Sequence, residues 1–256
     1  MRSNDPPPVR RPIVRLQDVA KRYATGTTAV TGVALEIQDG AFVSLLGPSG
    51  CGKTTVLRMI AGLSEPSSGR IDWPQDRPDL GYVFQDATLM PWATAEQNVL
   101  LPLRLRKMPG RDAAARARRT LDAVGLGSFL NAYPRELSGG MRMRVSIARA
   151  LVTQPRILLM DEPFAALDEI TRQKLNDDLL ALWQQARFTV VFVTHSIFES
   201  AYLSQRIVVM AARPGRVIAD ITTDTPMPRP AAYRTSAEFG ALCRMVSTRL
   251  VEASVA

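Results

Sequence analysis

A chain of 256 residues, 46% of them hydrophobic, is long enough to bury one large core and a smaller lobe. Two cysteines cannot build a disulfide framework, which suits a reducing cytosol, and nothing approaches the ~18 consecutive apolar residues of a membrane span. The net charge of +8 requires anionic partners, nucleic acid or lipid headgroups, to be weighed.

The start, MRSNDPPPVRRP, has charges and prolines where a signal peptide needs an apolar stretch, so residues 1–11 read as a disordered tail. Ala41-Phe42-Val43-Ser44-Leu45-Leu46 reads as a short buried strand and Lys53 to Ile60 as a helix. Between them, Gly47-Pro48-Ser49-Gly50-Cys51-Gly52-Lys53-Thr54 fits G-x-x-x-x-G-K-[ST], with Thr55 next along the helix. Its glycines let successive N–H groups curl around phosphate oxygens, and the helix N-terminus adds partial positive charge. Lys53 is placed to reach the β and γ phosphates and Thr54 to ligate Mg²⁺. Cys51, between two glycines, reads as a tolerated small residue in that loop rather than a nucleophile.

The strand Leu80-Gly81-Tyr82-Val83-Phe84 leads to Gln85, which can bond a phosphate or a water, or act as a buried amide or cap. Leu89-Met90-Pro91-Trp92 is an apolar loop that either packs into the segment that follows or offers a socket to a partner. That segment is mostly helical: Ala95 to Lys107, Arg111 to Val124 and Gly139 to Val152. Arg104, Arg106, Lys107, Arg111, Arg116, Arg118 and Arg119 crowd part of it against Asp112 alone. A solvated helix face, lipid proximity and nucleic acid are the readings of this cluster; no RNA-binding motif or interleaved aromatics support the last, so no nucleic-acid partner is expected.

Leu137-Ser138-Gly139-Gly140-Met141 opens the third of these helices with a serine and a glycine pair, a second candidate phosphate site. One nucleotide does not easily touch two helix starts so far apart in one compact chain, whereas two chains facing each other satisfy both. Ile157-Leu158-Leu159-Met160-Asp161-Glu162 is an apolar run too short for a helix that ends in two carboxylates, as a buried parallel strand does at a ligand-bearing edge. Asp161 is placed for the Mg²⁺ shell and Glu162 to polarise an attacking water. The run Thr189-Val190-Val191-Phe192-Val193-Thr194 ends at His195, the one histidine, at the same expected edge.

From Ile13 to Ile221 the pieces together resemble the nucleotide-binding subunit of ABC transporters, most specifically through Leu137-Ser138-Gly139-Gly140 followed by the Asp161-Glu162 strand. The resemblance implies an α/β fold: a P-loop NTPase core with a mostly parallel sheet, an N-terminal antiparallel β portion and a helical lobe. The expected division is a core of 12–88 and 154–222, a lobe of 89–153 and a C-terminal linker and amphipathic helix of 223–256. In that helix Phe239, Leu242, Val246 and Leu250 fall at helical spacing between Ser236 and Val251.

The resemblance also implies roles: Ser138, Gly139 and Gly140 on the γ-phosphate bound by the opposite subunit, Asp168 linking the two sites, and catalysis by Glu162 with His195 and Gln85. Tyr23 looks like the residue that stacks on adenine, or is an ordinary strand aromatic. Mg²⁺ would be held by Thr54, Gln85 and Asp161. Met141 and Met143 depart from the family, which more often has glutamine at both. Phe84-Gln85-Asp86 with Leu89-Met90-Pro91-Trp92 is similar to importers of nitrate, sulfonates and taurine. The implied setting is cytoplasmic, on the inner face of the cell membrane, with ATP and Mg²⁺, permease subunits, a second copy of the chain and, indirectly, a solute-binding protein. The alternative is an ABC-type ATPase that remodels nucleic acid, ribosomes or an assembly complex without a permease.

Overall fold

The structure, a computed structural model, describes residues 11–223, 225–227 and 229–255. The expected tail therefore lies, except for Arg11, outside the described residues.

Six strands form the central sheet, in the order β5 (Leu80–Val83), β6 (Ile157–Asp161), β7 (Thr189–Thr194), β3 (Phe42–Leu46), β8 (Arg206–Ala211) and β9 (Arg216–Thr222). All run parallel except β9, which is antiparallel to β8. Both faces of the inner strands are covered, which is why they read as unbroken apolar runs rather than alternating ones. Period two survives in which face each residue chooses. Val43, Leu45, Leu159, Val191 and Val193 enter one core, with α1 (Lys53–Ile60), while Phe42, Leu158, Met160, Val190 and Phe192 enter the other, with the helices.

The first core is closed by a smaller antiparallel sheet, in the order β2 (Thr28–Gln38), β1 (Pro12–Arg22), β4 (Ser68–Asp72). Here one face meets water, so Val33, Leu35 and Ile37 are buried while Ala34 and Glu36 are exposed. The second core is closed by α2 (Ala95–Leu105), α3 (Gly110–Ala123), α4 (Gly139–Leu151) and α5 (Glu169–Ala186). Trp183 of α5 meets Phe42 edge to face at 5.9 Å, a pair worth ~0.5–1.5 kcal/mol beyond its burial.

Helix ends have local causes. Thr94 and Gln97 make a reciprocal capping box at the start of α2, and α2 stops at Leu105, short of the expected Lys107, because Lys107 takes a left-handed turn (φ 56) before Pro109. Ser138 caps α4 through the Met141 N–H at 3.2 Å. Met143 is buried in the core, where an apolar side chain fits better than an amide.

Beyond β7 come α6 (Ile197–Leu203) and α7 (Ala237–Val255), which runs four residues past the expected end. Val246 is buried against β8, and Leu242 and Leu250 pack partly beside it. The proline-bearing stretch between β9 and α7 is pinned by Arg229, whose buried guanidinium donates to the carbonyls of Ala201, Tyr202 and Ser204 at 2.6–2.9 Å. A cation on the last carbonyls of α6 meets the negative end of its dipole.

Candidate functional site

Register aligns the carboxyl ends of four parallel strands: Leu46 pairs with Thr194, Val193 with Asp161, and Met160 with Val83. The residues just beyond these ends, the Gly47 loop, Gln85, Glu162 and His195, therefore share one edge of the sheet. The sequence-predicted groups from four separate segments are brought together in this way.

At that edge Thr54 donates its hydroxyl to Asp161 Oδ1 at 2.7 Å, and the Tyr82 hydroxyl donates to Asp161 Oδ2 at 3.3 Å. Burial, then the neighbouring carboxylate, pushes the Tyr82 phenol well above its ordinary pKa, so it stays a donor. Lys53, only 4% exposed, donates to the carbonyls of Gly47 and Pro48 at 2.8 and 3.0 Å, and its Nζ lies 3.5 Å from Glu162 Oε1. The other carboxylate oxygen of Glu162 is 3.1 Å from His195 Nδ1. Glu162 itself takes a left-handed backbone (φ 46), sparsely populated for a non-glycine residue and of the kind that gathers at active sites.

A cleft of about 680 Å³ opens here, lined by Ser49, Gly50, Gly52, Lys53, Thr54, Thr55, Gln85 and Glu162. Cys51 is not among the residues that line it: its thiol is buried, and burial raises its pKa, which favours the neutral thiol. Tyr23, 40% exposed just beyond β1, has its hydroxyl 3.4 Å from Thr55 Oγ1, beside the loop but not among the cleft-lining residues.

Sequence reasoning missed the cleft's far wall, where Arg213 and Ala212 of the β8–β9 turn join Thr27, Thr28 and Ala29. That turn also backs the phosphate loop. A Cβ on Gly215 would overlap the Cys51 carbonyl, and one on Gly47 would sit 2.5 Å from the Met210 carbonyl. Arg213 holds a positive φ of 62 at the cleft, a strain no periodicity signals.

The second predicted phosphate site stands apart. None of residues 138–140 lines the cleft, and Ser138 and Gly139 are exposed. Gly140 is instead a close-packing position: a Cβ there would meet Thr171 Cγ2 of α5 at 2.6 Å. Asp168 caps α5 through the Thr171 N–H at 3.0 Å, a bond that lowers its pKa, and the Gly140–Thr171 contact sets the starts of α4 and α5 side by side.

The Leu89-Trp92 loop answers the question left open by the sequence. Buried Asn98 fixes it by accepting from the Met90 N–H at 2.8 Å and donating to the carbonyls of Ala93 and Thr94 at 3.0 Å, while Leu89 packs on the core. Trp92 is left 76% exposed rather than packed into the lobe. The basic cluster is less one-sided than its sequence suggests, since Asp79 pairs with Arg106 at 2.9 Å and Glu96 with Arg118 at 2.6 Å.

Fold and site define a P-loop ATPase cassette. The family model described as ABC transporter matches residues 30–165, and the chain belongs to that family. It is 46% identical over 210 residues to the taurine import ATP-binding protein TauB of Rhizobium johnstonii, covering 80% of this chain and 80% of that one. It is 42% identical over 224 residues to the aliphatic sulfonates import ATP-binding protein SsuB of Bacillus cereus, covering 84% and 88% of the two chains. Among solved structures it is similar to the dimeric post-hydrolysis state of the ATP-binding cassette MJ0796 bound to ADP and Pi, with a TM-score of 0.74, 36% identity, and 83% and 100% coverage. The chain is an ABC ATPase that binds ATP. No helix among the described residues is long and apolar enough to cross a membrane.

Proposed function

We propose that this chain energises a membrane permease that imports a small sulfonate- or taurine-like anion, nitrate being the related case, and that it works as a dimer with ATP between the phosphate loop of one copy and the 138–140 segment of the other. The observation that carries the dimer is the separation of the two helix starts: a cleft lined by Lys53, Thr54, Gln85 and Glu162 at one, and Ser138 and Gly139 exposed outside that cleft at the other. The import class rests on the relatives' printed functions.

In this reading Lys53 and the loop N–H groups bind the β and γ phosphates, Tyr23 stacks on adenine, and Arg213 faces the phosphates across the cleft. Glu162 takes the proton of the attacking water, oriented by His195, while Gln85 bonds that water or the γ-phosphate. Thr54 and Asp161, with Gln85, are hard oxygen donors of the kind Mg²⁺ takes, and the ion would neutralise phosphate charge. A single carboxylate there fits a metal that keeps substrate oxygens and waters as its remaining ligands. Trp92, held out by a fixed loop, with exposed Phe84 nearby in sequence, is the anchor offered to the permease. The solute-binding protein touches the permease, not this chain, and the assembly places the chain on the cytoplasmic face of the membrane.

The experiment is reconstitution in proteoliposomes with candidate permease and solute-binding proteins from the same genome. ATP-dependent accumulation of labelled taurine or ethanesulfonate is expected. Normal ATP hydrolysis by a chain that neither co-purifies with the permease nor drives uptake would overturn the reading.

A further inference from the structure

The opposite edge of the central sheet carries a second cavity, of about 590 Å³. It forms where Pro155 and Arg156 lead into β6 and Arg187 and Phe188 lead into β7, between the last turns of α4 and α5 and one side of α3. Arg116, Arg119, Arg156 and Arg187 line it against one carboxylate, Asp39, while Leu151, Leu182 and Phe188 give it an apolar wall. Pockets of ~300–1,000 Å³, mostly apolar with a few placed polar groups, are the usual form of small-molecule sites.

Three of the four arginines carry no ion pair among the described residues. Arg156 is engaged, donating to Asp39 at 2.6 Å and Gln75 at 3.1 Å. Arg116 donates to the neutral Gln154 side chain at 3.0 Å, and Arg187 lies 5.5 Å from the Trp183 ring centroid. Neither has a carboxylate partner among the described residues, and Arg119 has no partner of any kind there. None of the four guanidinium groups donates to a backbone carbonyl among the described residues. Gln154 (φ 55) and Arg187 (φ 52) make the two helix-to-strand turns in left-handed conformations that glycine would adopt at lower cost. At Arg187 that choice puts a guanidinium on the cavity.

We propose that this cavity is a regulatory site for a small organic anion with an apolar body, an alkyl sulfonate or alkyl carboxylate. The head group would meet Arg119, Arg187 and Arg116, and the alkyl chain the Leu182–Phe188 wall. The same four elements that end or begin here carry the nucleotide chemistry at their other ends: Ser138 at the start of α4, Asp168 at the start of α5, Asp161 and Glu162 after β6, and His195 after β7. An anion bridging the α4–β6 turn, the α5–β7 turn and α3 holds those elements in one arrangement, and by linkage changes nucleotide affinity by the factor by which nucleotide changes its own. The proposal is independent of the transported solute and stands if the transport reading fails.

The test is calorimetry on the full chain saturated with ADP, so that the phosphate loop is filled, using 1-hexanesulfonate, hexanoate, sulfate and hexylammonium as probes. One hexanesulfonate or hexanoate per chain should bind, the tighter of the two identifying the head group. Sulfate should bind more weakly for want of the wall, and hexylammonium not at all. Arg119→Ala and Arg187→Ala, both at exposed positions, should each weaken the anion roughly tenfold to a hundredfold, the worth of a charge-assisted hydrogen bond, with ADP affinity in the absence of the anion unchanged. The anion should also shift ADP affinity by about fivefold or more in the wild type and not in the double variant. Absence of saturable binding at millimolar probe, equal binding of hexylammonium, or wild-type binding by the double variant would overturn the site. Binding without any shift in ADP affinity would overturn its regulatory role.

Discussion

The two helix starts that the sequence marks for phosphate, those of α1 and α4, are built on opposite plans. The loop before α1 is partly enclosed, with Lys53 buried, the β8–β9 turn packed behind it, Thr54 bonded to Asp161, and Glu162 within reach of both Lys53 and His195. The start of α4 is open, with its serine hydroxyl engaged in a cap and α5 packed against Gly140. The first has acid, base and cradle; the second has backbone donors and no carboxylate chemistry. In the proposed reading the first end does the chemistry and the second closes on a phosphate held by another chain.

The largest effect should come from the enclosed end. Glu162→Gln should leave ATP binding nearly intact and slow turnover by about 10²- to 10⁴-fold, the usual worth of a positioned general base, and the variant should accumulate as an ATP-bound dimer in light scattering. Lys53→Ala should instead fail at nucleotide binding, by roughly tenfold to a hundredfold, in an equilibrium titration. Unimpaired turnover in the first, or unchanged affinity in the second, would break the division of labour.

Smaller and purely structural is the support behind the loop. Gly215→Ala should cost about 1–3 kcal/mol in denaturant unfolding and weaken nucleotide binding, because its Cβ meets the Cys51 carbonyl and lies 2.8 Å from that of Ala29. Gly110→Ala, where a Cβ meets nothing within 4 Å, should cost nothing.

The smallest effect concerns Glu199, buried behind His195, where it accepts from the Thr194 hydroxyl and lies 3.8 Å from Arg172. Burial raises its pKa above 4.5 and outweighs those two partners, so the folded state favours the neutral carboxyl. Its contribution to stability is then full below pH 4.5 and is lost as pH rises through the raised folded value. Glu199→Gln should therefore flatten the decline in Tm from acid to neutral pH. A steeper decline in the variant would reverse the sign.

What was legible in the sequence follows from the range of the interactions. The α1 helix, β7 and the Asp161-Glu162 strand end could be read because local signals, a glycine-rich loop and apolar runs bounded by polar residues, also decide them in the fold. Arg213, Tyr82 and the clamp of Arg229 were not legible, because each acts on groups brought close only by the sheet order. The partners of the basic cluster were hidden for the same reason: Asp79 and Glu96 pair with part of it from elsewhere in the chain, leaving Arg116 and Arg119 at the second cavity.

The most direct test of the two-chain site is crosslinking between two distinguishable copies, both Glu162→Gln, Cys51→Ala and Cys243→Ser, one carrying Ser49→Cys and the other Ser138→Cys. Both positions are exposed, one on the phosphate loop and one at the start of α4. The account predicts an ATP-dependent crosslink between the two copies, and none within a single chain that carries both cysteines when it is diluted to monomer. A crosslink formed only within that single chain, with none between copies in ATP, would contradict it.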